Sequence, residues 1–383
     1  MPAGSKHDRI LATLEDEILS GKYAPGRAAF PSERALASRF KAARLTVRMA
    51  VQELKRFGYL SQRQGSGTFV TRKGANRKIG LVIPDMRHTE YFLRIVRELI
   101  RVAERDDYIL TIGEVEGTSP RVRTASVERI VDGFISQKVS GVILQPIEYL
   151  EKGLECTRRM LERLNFAAIP VVLCDNKAGL SDVAGDVVGT SNVEAGAAMF
   201  RYLRSVGARR IVYFMRPYSA MTHYERLRGA MTALLPESGK ALEDDSVLVA
   251  ETSNIAAIRK CFRGRKVDAF MCGDDETAAG LLQTLNRMGV VVPKDVMVTG
   301  FNDLNLAGLL TPPLTTMRIS CEEIADVAFE RLVTRIGNPD LPPTEVLLPA
   351  ELVVRESTLA KGKIRRCAEQ KTYCKHRGEK VKG

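Results

Sequence analysis

A chain of 383 residues is longer than one hydrophobic core usually serves, so two or three folded units are expected, and 45% hydrophobic with 27% charged residues is ordinary for a globular protein. No run of 18 or more apolar residues occurs and the N-terminus lacks the apolar stretch of a secretory leader, which excludes a hydrophobic spanning helix and predicts a cytoplasmic protein without a membrane partner. The net charge of +12 is uneven, with +10 on residues 1–78, −5 on 79–360 and +7 on 361–383, as suits a polyanion-binding head on a body that does not stick to polyanions.

Ile10, Leu11, Leu14, Ile18 and Leu19 recur at helical spacing, and the run stops at Gly21 with Pro25-Gly26 beyond, which predicts a first helix. Ser32 can cap a short second helix, where Glu33 complements the helix dipole and Leu36, Ala37 and Phe40 form the apolar stripe. After a turn at Lys41-Ala42-Ala43, a third helix gathers Val47, Ala50, Val51, Leu54 and Phe57 on one face. Arg44, Thr46, Arg48, Gln52 and Lys55 fall on its other faces or at its start. Gly58 ends that helix, and two strands meet through Gln62-Arg63-Gln64-Gly65-Ser66-Gly67, whose glycines permit positive φ and close approach to a phosphate or a minor groove.

Helix, turn, helix and glycine-tipped hairpin, in that order on a basic segment, predict a winged helix-turn-helix that grips double-stranded DNA. An arginine early in a recognition helix can bond guanine O6 and N7 with both arms, and a threonine can reach phosphate or a thymine methyl. Any one of these arginines alone reads as part of a solvated helix face; the ordered set points to DNA. Residues 7–71 resemble the DNA-binding domain of the gluconate-repressor (GntR) family of bacterial transcription factors. The resemblance implies DNA contacts from Arg34, Arg44, Thr46 and Arg48 and from the wing residues Gln64, Gly65, Ser66 and Gly67. Ala43 and Leu45 depart from the small polar residues common there, which bears on sequence preference.

Residues 72–78 are polar and basic and read as a linker. Beyond it, apolar strand-like runs at 79–83, 108–112, 142–145, 171–174, 211–215, 247–250, 267–272 and 296–301 alternate with helical segments at 91–105, 121–137, 150–164, 192–206, 223–235, 253–263 and 275–289. This alternation predicts an α/β body of parallel sheets flanked by helices on both faces. Ligands of such sheets sit beyond the carboxyl ends of the strands. The polar residues there are Asp85 with His88, Tyr91 and Phe92, then Asp175-Asn176, then Gly273-Asp274-Asp275 and Asn302-Asp303, with Arg226 near the start of the helix after 211–215. Carboxylates and amides that accept from hydroxyls, an arginine that donates as a fork and an aromatic face suit a polyhydroxylated ligand such as a sugar. A helix cap is the plain alternative at each position, and is the expectation for Asp275 and Asp303.

The body, residues 79–358, resembles the effector domain of the lactose/galactose-repressor family, which shares its fold with periplasmic sugar-binding proteins. The resemblance rests on Ile79-Gly80-Leu81-Val82-Ile83-Pro84-Asp85, Val139-Ser140-Gly141-Val142-Ile143-Leu144, Pro170-Val171-Val172-Leu173-Cys174-Asp175, Glu225-Arg226-Leu227-Arg228-Gly229, Val267 through Asp275, and Gly300-Phe301-Asn302-Asp303 followed by Pro312-Pro313-Leu314-Thr315-Thr316. It implies two lobes joined by three crossovers, one near residues 180–190 and two after Thr316, with an effector between the lobes. Arg226 would clamp hydroxyls, Asp175, Asp274 and Asn302 would accept from the ligand, and Tyr91 and Phe92 would cover its apolar face. Asp274 and Asn302 stand where the family often has Asn and Asp. With no tryptophan to stack on a sugar ring, weight falls on Phe92, Tyr91 and Tyr218.

Residues 361–383 read as a basic, disordered tail. Seven scattered cysteines without a Cys-x-x-Cys argue against a disulfide framework and a structural zinc, and no metal or cofactor is expected. No phosphate-binding loop, nucleophile elbow or His-Glu-x-x-His is present, so no enzyme is expected. The sequence thus predicts a homodimeric repressor of transcription whose hold on operator DNA is set by a small-molecule effector, a sugar by preference. The competing reading is a DNA-binding regulator whose body only dimerises or takes a non-sugar ligand.

Overall fold

The computed structural model describes residues 6–23, 30–56, 59–63, 67–70, 78–84, 90–117, 119–148, 153–180, 185–238, 246–263 and 266–358. Helical periodicity builds the head. Helices α1 (Lys6–Leu19), α2 (Glu33–Arg39) and α3 (Arg44–Arg56) close over Ile10, Leu14, Ile18, Leu36, Val47, Val51 and Leu54. Leu60 and Val70 complete that core from the antiparallel hairpin β1 (Leu60–Arg63) and β2 (Gly67–Val70), where they face each other. Ser32 caps α2 by accepting from Ala35 N at 3.2 Å. Glu17 of α1 takes hydrogen bonds from Arg39, Lys22 and Tyr23, and the Arg39 bond chiefly draws its carboxyl down to about 2.

Past residue 78 the β-branched runs form parallel strands. Lobe 1 holds β3 (Lys78–Ile83), β4 (Ile109–Glu114), β5 (Gly141–Leu144), β6 (Val171–Asp175), β7 (Asp186–Thr190) and, from much later in the chain, β13 (Glu345–Leu348). They make a six-stranded sheet in the order β13-β7-β6-β5-β3-β4, parallel throughout. Helices α4 (Glu90–Arg105) and α12 (Cys321–Gly337) cover one face, and α5 (Pro120–Ser136) and α6 (Gly153–Phe166) the other, each over its own apolar core.

Lobe 2 repeats the plan on four strands, β8 (Ile211–Met215), β9 (Val247–Val249), β10 (Ala269–Cys272) and β11 (Met297–Thr299), in the order β11-β10-β8-β9. Its helices are α7 (Asn192–Ser205), α8 (Met221–Ser238), α9 (Ile255–Lys260), α10 (Asp275–Arg287) and the short α11 (Asn305–Leu309). Where α7 crosses α8 the backbones touch: a Cβ on Gly196 would stand 2.1 Å from the Arg226 carbonyl oxygen, and one on Gly229 1.9 Å from that of Val193. Only glycine fits at either position.

Three passages link the lobes. The chain leaves lobe 1 between Thr190 and Asn192, at the end of the stretch expected for the first crossover, returns between Arg318 and Cys321, and crosses again between Leu348 and Glu351. The last two flank an antiparallel pair, β12 (Thr316–Arg318) with β14 (Glu351–Val353). The expected alternating runs are present with ends shifted by a few residues, whereas β7, β12, β13, β14, α11 and α12 lie outside them. The additional strands are three to five residues long, too short to show a period in sequence.

Candidate effector cleft and DNA-reading face

On the head, the core face of α3 is fixed by Val47, Ala50, Val51 and Leu54. That orientation leaves Arg44 and Arg48 exposed and Thr46 half-buried, with Arg34 exposed on α2. Gly67 opens β2 at φ +112°, in the left-handed region. Gln64, Gly65 and Ser66 lie outside the described residues. Leu45 and Met49, at 69% and 53% exposure, share the outward face with the two arginines; sequence reading marked Leu45 only as a departure and passed over Met49.

Between the lobes, the carboxyl ends of the strands bring a second set together. Arg226, one turn into α8, is buried, and each nitrogen of its guanidinium makes one hydrogen bond. Nε donates to Asn192 Oδ1 at 2.9 Å, one terminal nitrogen to the Gly273 carbonyl at 2.7 Å and the other to Asn302 Oδ1 at 3.4 Å. The guanidinium also stacks 4.4 Å from the centre of the Phe301 ring. Asp175, at the end of β6, is buried in lobe 1 and feels the Arg226 charge. Burial raises its carboxyl, opposed by a hydrogen bond from Tyr91, by Arg226 and by Asn176. Both Asp175 and Asn302 sit at strongly positive φ, 95° and 100°, a conformation that side chains other than glycine adopt at a cost and that clusters at functional sites. Gly189 makes room for the first of these, since a Cβ there would lie 1.9 Å from the Asp175 carbonyl oxygen.

Arg226, Asn302, Asp175 and Tyr91 therefore cluster in the candidate cleft between the lobes, with Asp274 beside them. Asp274 is the N-cap of α10, accepting from Thr277 N at 2.6 Å, and its other oxygen lies 3.4 Å from both His223 Nε2 and an Arg216 nitrogen. His223 is buried against Gly273, and burial holds the imidazole neutral. Phe92 stands apart: the period of α4 turns it inward with Ile95 and Leu99, fully buried in the lobe 1 core, so it offers no surface to a ligand. Tyr218 is 80% exposed. Asp85 and His88 lie outside the described residues.

The caps expected at Asp275 and Asp303 are not caps. Asp275 is wholly buried, accepts from Leu304 N at 2.8 Å and Thr316 Oγ1 at 2.6 Å, and is pushed up by burial to about 7. Asp303 takes Arg318 at 2.8 Å and Arg355 at 2.6 Å, pinning β12 to the segment just beyond β14. The cap function has moved one residue upstream to Asp274, which pairs of adjacent acids leave undecided in sequence.

Three further residues complete the cleft. Glu148, four residues beyond β5, reaches across to accept from Met221 N of lobe 2 at 2.8 Å and takes Asn176 Nδ2 at 2.8 Å. Burial, with Asp175 and Glu225 nearby, pushes its carboxyl up to about 7. Glu225 accepts from Asn192 Nδ2 at 3.2 Å and is raised by burial in the same way. Glu148 follows the same strand-end rule as Asp175, but its partner is a backbone N–H from the other lobe, which no local pattern reveals. A second bridge between the lobes runs from the Arg94 guanidinium to the Asp303 carbonyl at 3.0 Å, next to Asn302.

Comparison with known proteins agrees with both parts. Residues 6–70 match the family described as bacterial regulatory proteins, gntR family, and residues 200–358 match the periplasmic binding protein-like domain. The chain is 28% identical over 355 residues to the arabinose metabolism transcriptional repressor of Geobacillus stearothermophilus, covering 89% of this chain and 94% of that one. It is 25% identical to a transcription regulator GntR from Chromobacterium violaceum, with a TM-score of 0.58 over 74% of this chain and 99% of that one. The transcriptional regulator CelR, solved as a cellobiose complex, shares the fold at a TM-score of 0.62 and 23% identity, over 93% of this chain and all of that one. Among the described residues no helix is long and apolar enough to cross a membrane.

Proposed function

We propose that this chain, which joins a GntR-type winged helix-turn-helix to a periplasmic-binding-protein-like body, is a cytoplasmic repressor of transcription that binds operator DNA as a homodimer and is controlled by a sugar held between its lobes. The observation that carries this reading is the Arg226 cluster: a buried guanidinium of lobe 2, bonded to Asn302 and facing the Asp175 carboxylate of lobe 1. Asp175, Glu148, Glu225 and Asp274 offer many acceptors, and a polyol is rich in O–H donors. Tyr91, Asp175, Arg226, Asp274 and Asn302 are the effector residues on this reading, and the carbohydrates named with the relatives, arabinose and cellobiose, are the first candidates.

The two bridges between lobes, Glu148 to Met221 N and Arg94 to the Asp303 carbonyl, are bonds that lobe motion would remake. An effector that prefers one lobe arrangement shifts the population toward it, and the same coupling acts on the DNA heads. Support for a homodimer comes from the sheet edges. β4 and β9 are terminal strands of their sheets and leave Ile109, Ile112 and Val249 exposed, apolar edges that a second copy would cover. Two heads held by paired bodies would meet a palindromic site.

Titration calorimetry of the full-length protein against arabinose, ribose, cellobiose and their common monosaccharide relatives tests the sugar assignment. One sugar binding to wild type and failing to bind Arg226→Ala is the expected result. Binding that survives Arg226→Ala unchanged would move the effector site elsewhere.

A further inference from the structure

A recognition helix in solution normally turns only polar side chains outward, and α3 sets two apolar ones among them. Its outward stripe, set by the buried positions Val47, Ala50, Val51 and Leu54, runs Arg44, Leu45, Arg48, Met49 and Gln52. Leu45 and Met49 lie four residues apart, hence one above the other on the same face, and are 69% and 53% exposed. Neither belongs to the core of the head. Exposed arginines flank this apolar ridge, so a hydrophobic protein partner would have to bury guanidinium groups, whereas a DNA groove offers phosphates to the arginines and an apolar group to the ridge. The apolar group of the major groove is the thymine 5-methyl, which side chains of this kind can recognise by burial alone.

Building on the DNA-binding role above, we propose that Leu45, extended by Met49 on the next turn, reads thymine 5-methyl groups in the operator half-site beside bases bonded by Arg44 and Arg48. Leu45 is the second residue of α3, in the N-terminal turn that enters the groove first in helix-turn-helix docking. Each methyl buried in this way contributes about fourfold in affinity, by the usual worth of a buried methylene. A palindrome read by two heads would double the effect on a logarithmic scale.

The test selects preferred sites from random duplex DNA with full-length protein, then replaces each thymine of the selected site by deoxyuridine, which removes only the 5-methyl. Expected is a thymine whose replacement in both half-sites weakens wild type about tenfold or more, while Leu45→Ala, whose side chain is exposed and outside the core, binds both duplexes equally. Met49→Ala should reduce the uracil effect at a neighbouring step. Uracil tolerated at every thymine by wild type, or a uracil effect undiminished in both variants, would overturn the proposal and leave the DNA-binding reading standing. Selection that enriches no sequence would instead contradict the DNA-binding reading itself.

Discussion

The head and the cleft use arginine in opposite ways. Arg44 and Arg48 extend from α3 into solvent, each free to meet a phosphate or base independently, while Arg226 is buried under the lobe interface, held in place by Asn192, Gly273 and Asn302 with two N–H groups left for a ligand. An exposed set works as a sum of separate contacts. A buried set works as one network, whose members lose their partners together. Substitutions in the head should therefore be additive and spare stability, and substitutions in the cleft should be non-additive and carry a stability cost.

The largest break is expected from Arg226→Ala. It strips donors from three buried acceptors and leaves Asp175 without its counter-charge, so it should cost about 3–5 kcal/mol in denaturant unfolding of lobe 2 and remove effector binding. Combined with Asn192→Ala, the loss should fall well short of the two single losses added. Gly229→Ala comes next. Its new Cβ has no room against the Val193 carbonyl, and the displaced α8 should cost about 3 kcal/mol and weaken effector binding without touching any ligand group.

Two buried carboxyls give a pH dependence of known sign. Glu148 and Asp275 both stand near 7 in the folded protein, above the ordinary carboxylate value, so the protonated form is favoured by folding. Their contribution to stability is complete below the ordinary carboxylate value and is lost as pH rises through about 7. The unfolding midpoint should fall between pH 5 and pH 8, and Glu148→Gln should flatten part of that fall. A midpoint that rises over the same interval would contradict the burial of these groups.

Head substitutions are expected to be smaller and cleaner. Arg48→Ala should weaken specific DNA binding by about 1–3 kcal/mol, lower the salt dependence and leave unfolding unchanged. Together with Arg34→Ala, the losses should add. Ser32→Ala removes the cap on α2 and should cost about 1 kcal/mol of head stability, the least of the series.

The same contrast explains what could be read in advance. The head was legible in outline because its elements are amphipathic and separated by caps and glycines, so that Ser32, Leu36, Val47 and Leu54 each announce their place. In the body, the strand-end rule pointed to Asp175 and Asn302 and the helix start after the fifth strand run to Arg226, and the fold brings the three together. Phe92 and Tyr91 are adjacent and equally aromatic, and the first is core because the period of α4 sets it with Ile95 and Leu99 in the core shared with α12. Glu148 was missed because its meaning lies in Met221 N, distant in sequence and in the other lobe. Short strands such as β12 and β14 exist only as each other's partners, so their residues carry little pattern alone.

Fluorescence anisotropy of the full-length protein on DNA from upstream of its own gene, at fixed salt with and without each sugar of the panel, tests the link between head and cleft most directly. The account predicts a sequence-specific complex whose affinity one sugar changes at least tenfold, with that change absent in Arg226→Ala. A specific complex that no sugar alters would contradict the claim that the cleft controls the head.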